Sequence, residues 1–137
     1  MKVNGGRVIS LGAEKLDGNE FKGYDINIQV TDLKEVDKRL ELHFEHATTY
    51  KDNYAKMRIK GVVYAEADDK ERKKMTEEWK KTKQMPNEIA EEVLMAINYI
   101  TSTVGTLLAF GINVSAPVNV PRTRIMNLPG QPASKAG

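Results

Sequence analysis

The side chains best equipped for chemistry in this chain are two histidines among acids: Glu41, His43, Glu45 and His46. Side chains alternate faces on an extended strand, so residues three apart point to opposite sides and His43 and His46 do not close on one metal ion. Glu41, His43 and Glu45 share a face and could together hold a divalent cation weakly. Lys60 and Arg58, expected across from them, point instead to ion pairing. Ser10, Ser102 and Ser115 stand in no nucleophile-elbow context, and no phosphate loop or zincin spacing occurs. Asn4-Gly5-Gly6 reads as a turn. A chain without Cys has no disulfide, no thiolate nucleophile and no Cys-ligated metal, a composition that suits a reducing compartment. The reading is a protein that is not an enzyme, with neither a metal nor another cofactor.

A second chemistry is electrostatic. Lys56, Arg58 and Lys60 alternate on one strand, Arg122 and Arg124 follow downstream, and Tyr50, Tyr54 and Tyr64 lie among them. Cations offset phosphate and rings stack on bases, so this basic strand face is the best case for an RNA-binding module. Glu41 and Glu45 on the facing strand blunt it. Across the whole chain, 21 Lys plus Arg against 19 Asp plus Glu give a net charge of +2, too mild to select nucleic acid or an anionic membrane.

The elements that must position these residues begin with a sheet. Tyr24, Ile26, Ile28 and Val30 alternate with Asp25, Asn27 and Gln29, the period of a strand with one wet side. Leu40 to Tyr50 and Ala55 to Ala65 repeat it, and Val8 to Leu11 offers a fourth strand. Asp52-Asn53 tolerates the left-handed backbone of a tight hairpin. Pairing Lys51 with Tyr54 around it sets Glu45 opposite Lys60, Phe44 opposite Gly61 and Leu42 opposite Val63. A one-residue slip would turn Leu42 and Phe44 to water, at about 1.5–3 kcal/mol each.

Two helices follow. Asp68-Asp69 opens and Lys80, Lys81 and Lys83 close a charged stretch whose polarity suits the helix dipole. Its two large apolar residues, Met75 and Trp79, share a face and dock on the domain or on a partner. Pro86 fits the first turn of a second helix that runs to Gly111, along which Ile89, Val93, Ile97, Ile100, Val104, Leu107 and Leu108 recur at steps of three and four. That helix, roughly 37 Å long, would overhang a sheet of five-residue strands. Leu94, Met95, Tyr99 and Phe110 widen its apolar surface, which fits either an oligomer interface or a core helix covered by the segment Ile112 to Ile125. Gly105 costs about 1 kcal/mol in a helix, or marks the close approach of another backbone. Val93 to Ile112 is long enough for a membrane span, but Asn98, Thr101, Ser102, Thr103 and Thr106 interrupt it, so insertion is not expected. Met1 to Gly12 lacks the apolar length of a secretory signal, which argues for a cytoplasmic protein. Residues 1–126 are read as a single domain and 127–137, rich in Pro and Gly, as a disordered tail.

An N-terminal β-meander, a charged connecting helix, a long apolar helix and then Gly111-Ile112-Asn113-Val114-Ser115-Ala116-Pro117-Val118-Asn119 together resemble the family of the protein-export chaperone SecB. The likeness in architecture spans roughly residues 7 to 125, and its specific part is Ala116 to Asn119. It implies an α+β fold: a four-stranded antiparallel sheet packed by a long C-terminal helix. It also implies an ATP-independent holdase that binds non-native polypeptides through apolar grooves, as a dimer or tetramer. Leu33 and Val36 in a strand connection, Trp79 on the charged helix, and Phe110, Ile112 and Val114 are the peptide-binding candidates that follow from the resemblance. SecB is strongly acidic and this chain is slightly basic, which counts against delivery to the SecA motor.

Overall fold

A computed structural model describes residues 1–117. The tail expected at 127–137, and the ribbon beyond Pro117 with Arg122 and Arg124, lie outside the described residues. Four strands, β1 (Lys2–Lys15), β2 (Tyr24–Val36), β3 (Arg39–Tyr50) and β4 (Ala55–Glu66), form one antiparallel sheet in the order β1-β4-β3-β2. Helices α1 (Asp69–Thr82) and α2 (Asn87–Ile112) follow. The register of β3 on β4 is the one the hairpin requires, with Glu45 opposite Lys60, Phe44 opposite Gly61 and Leu42 opposite Val63. Asp52 and Asn53 take the left-handed conformation at φ 57°, inside a single 3-10 turn over Lys51–Asn53.

Both outer strands run further than periodicity indicated. β2 continues past a bulge between Val30 and Asp32, after which the inward set changes from even to odd numbers: Ile28 and Val30, then Leu33 and Glu35. Leu33 and Val36 therefore belong to the strand itself, and the connection shrinks to Asp37-Lys38, both at positive φ. β1 starts at Lys2 and carries two register shifts. With strands of 12–14 residues the sheet is about 40 Å long, so α2 at about 39 Å matches it and the expected overhang does not arise.

The inner face of the sheet carries Leu33, Leu40, Leu42, Phe44, Ile59, Val63 and Ala65, closed over by Met75 and Trp79 of α1 and by Ile89, Val93 and Ile97 of α2. Asp68 caps α1, its carboxylate accepting from the Glu71 amide at 2.8 Å, and that bond holds the Asp68 carboxyl below its ordinary pKa. Buried Arg72 ties the first turn of α1 to the sheet, donating to Glu35 at 3.1 Å, to the Ala67 carbonyl and to Asp69. α2 does not stop at Gly111: Asn113, at φ 57°, supplies the left-handed residue that ends it two positions later.

Candidate polypeptide-binding surface

The topology places β1 and β2 on opposite edges, so the segment 16–23 must cross the end of the sheet at the β3–β4 turn. Leu16 N donates to Tyr54 O, Gly18 N to Asn53 O, and Lys51 N to Gly23 O. A Cβ on Gly18 would lie 2.5 Å from the Asp52 carbonyl, so only glycine allows this approach. Lys22 reaches Asp52 at 2.8 Å and, by that hydrogen bond first and its charge second, lowers the Asp52 pKa. The crossing delivers exposed Phe21 to Tyr50 and Tyr54, each with ring centroids 6.1 Å away, and Tyr24 meets Tyr50 at 5.5 Å. Ile112, Val114 and Ala116 pack on the same cluster with Tyr50, Ala55, Met57 and Ala109. One end of the molecule is thus an aromatic and aliphatic patch.

The second apolar feature is α2. Ile89, Val93, Ile97, Thr101, Gly105 and Ala109 are buried at steps of four. Such a row drifts about 40° around the helix per step, so α2 crosses the strands obliquely. Met95, Tyr99, Thr103 and Leu107 form a parallel row two residues out of phase, roughly 200° round the helix at about 100° per residue. Tyr99 is 80% exposed, Phe110 76%, Leu107 67% and Met95 56%. α2 is long and apolar enough to cross a membrane, and it also packs one face on the sheet.

Of the six residues proposed for peptide binding, Leu33 and Trp79 are core, both in the cluster under α1 and α2. Val36 is half-buried at the far end of β2. Ile112 and Val114 come together on the aromatic end, half-buried, and Phe110 projects to solvent two residues earlier. Phe21, Tyr24 and Tyr54 were missed as partners of that group. The available signal was the pair Tyr50 and Tyr54 flanking one tight turn, which must sit side by side at the end of a hairpin.

The outer face of the sheet carries the charges, interleaved. Arg58 meets Glu45 at 2.8 Å, Lys56 meets Glu14 at 3.3 Å and Arg39 meets Glu41 at 3.8 Å, with the Arg39 guanidinium 3.9 Å above the Tyr64 ring. A dish of about 370 Å³ on this face is bordered by Glu14, Lys56 and Arg58, already paired with carboxylates or bases. Lys56 and Arg58 of the row that could meet phosphates are thus each held by a carboxylate, and the RNA reading gains no support. His43 faces outward, 3.4 Å from Glu41, and His46 faces inward, as their spacing requires. Among the described residues, no three His, Asp or Glu side chains gather as a metal site. Inside, His46 is 2% exposed with Nδ1 unpartnered, and burial pushes its pKa below 6.5. Tyr50 is pushed up to about 12, by burial first and then by Tyr24 and Tyr54, so its hydroxyl keeps its proton and donates to the Ser115 carbonyl.

A four-stranded antiparallel sheet covered by a long C-terminal helix, in this strand order, is the SecB-like fold. Among solved structures the chain is similar to the Mycobacterium tuberculosis Rv1957 SecB-like chaperone in complex with a ChAD peptide from the Rv1956 HigA1 antitoxin. The two superpose with a TM-score of 0.58 over 87% of this chain and 85% of that one, at 8% sequence identity. No protein-family model matches the chain, and no curated protein matches it in sequence.

Proposed function

We propose that this protein is a cytoplasmic, ATP-independent holdase that shelters apolar segments of non-native polypeptides. The observation that carries the reading is the aromatic end, where Phe21 and Phe110 stay exposed on a protomer whose core is already closed. Large contiguous apolar surface on a folded domain marks an interaction site, because covering it removes it from water. The aromatic end, with Phe21, Tyr24, Tyr54 and Ile112, is the client surface, and Phe110 borders it. The outer row of α2, Met95, Tyr99 and Leu107, is where a second copy packs, making a dimer or tetramer. The peptide held by the mycobacterial neighbour supports a polypeptide as the ligand.

The test is suppression of turbidity when a heat-denatured client enzyme is mixed with the protein, repeated with RNA competitor. Suppression that RNA leaves untouched is the expected result. Unaltered client aggregation refutes the holdase, and steep salt-sensitive retention on RNA would move the function to nucleic acid.

A further inference from the structure

We propose that Asn113–Pro117 is a displaceable strap that lies on part of the client surface and must swing out before a polypeptide binds there. The proposal rests on the holdase reading and adds its regulation. Asn113 in the left-handed conformation reverses the chain at the end of α2. Val114 N then donates to Ala109 O at 3.0 Å, and the Tyr50 hydroxyl donates to the Ser115 carbonyl. The strap runs back along α2 far enough for Pro117 to lie beside Gly105, where a Cβ would be 3.4 Å from Pro117 Cγ. Val114 and Ala116 turn toward Tyr50, Ala55, Met57 and Ala109, Pro117 is buried, and Asn113 and Ser115 face water.

This is how an extended client segment would lie. The sheet holds the strap by one hydrogen bond to a main-chain carbonyl, which every polypeptide offers, and by small apolar side chains that many sequences supply. The Tyr50 donor and the apolar floor are thus equally able to receive a foreign chain. The hinge is one residue, Asn113, whose left-handed conformation keeps the strap closed. An occupied floor also keeps the patch from self-association when no client is present.

The experiment measures binding of reduced, carboxymethylated lactalbumin, a permanently unfolded protein, by fluorescence anisotropy. In the variant Gly105→Cys with Pro117→Cys, the two thiols are the only ones in the chain, and oxidation locks the strap down. Oxidised protein should bind about tenfold more weakly than the same protein after reduction. Val114→Ser, which loosens the strap and leaves the floor intact, should bind about threefold more tightly. Equal binding by oxidised and reduced forms, or weaker binding by Val114→Ser, overturns the strap while leaving the holdase in place. Absence of binding by the unmodified protein overturns both.

Discussion

Gly61→Ala sets two effects of opposite sign against each other. Glycine inside a strand costs about 0.5–1 kcal/mol relative to alanine, so the substitution would stabilise an open position. Position 61 is not open: a Cβ there would lie 2.6 Å from the Arg7 carbonyl and 2.7 Å from Phe44 Cζ. Arg7 belongs to the β1–β4 ladder, and the Phe44 ring is buried directly opposite on β3. Overpacking of this kind costs about 1–3 kcal/mol. The net expectation is a loss of about 1–2 kcal/mol, which lowers the urea midpoint by about 0.5–1 M at the slopes usual for small domains. Phe44→Leu removes the ring edge but not the Arg7 contact, so the double variant should be less destabilised than the two single losses added together. Urea unfolding followed by tryptophan fluorescence reads all four corners of the cycle. A Gly61→Ala protein as stable as the parent, or more so, would mean that β1, β3 and β4 do not meet as closely as described.

His46 is buried neutral, and the charged groups that share the inner side, Glu35 with Arg72 and Asp69, are already joined to one another at the Leu33 end of β2. A folded pKa below 6.5 means that the unfolded chain binds the proton more readily, so stability is complete above pH 6.5 and falls as pH drops through the folded value. His46→Leu should flatten that slope below pH 6.5, and an unchanged slope in urea midpoints would refute the assignment. Trp79, the only tryptophan, is 4% exposed, so native emission should be blue-shifted and move red on unfolding. Trp79→Ala should cost about 3–5 kcal/mol, and a solvent-like native spectrum would place α1 off the sheet.

The central hairpin was legible because three independent constraints agreed: Asp52-Asn53 for the turn, oily Leu42 and Phe44 for the face, and Glu45 against Lys60 for the register. The pair Met75 and Trp79 was legible as the one docking stripe of a charged helix, but that it meets its own sheet and not a partner had to come from the packed fold. β1 and the second half of β2 were harder to read because bulges change the phase of alternation, and Asp37-Lys38 lacks the Gly or Asn that usually announces a two-residue hairpin. On α2 the signal ran out for another reason. With apolar residues on every side, periodicity could not separate the buried Ile97 from the exposed Tyr99, so which candidates would remain accessible had to come from the packed fold. Gly105 does face another segment, but what meets it is the Pro117 ring at an ordinary contact distance, with no second backbone close by among the described residues.

The strand order also orders events during synthesis. β2, β3 and β4 are successive neighbours joined by short turns, so they can zip together as soon as Glu66 has emerged. β1 is made first but has nothing to pair with until β4 arrives, some fifty residues later by the Val8↔Gly61 pairing. α2 is completed later still, and until it settles the oily side of the nascent sheet has no roof. A protein read as a guardian of half-made chains thus passes through the same exposed stage as its clients.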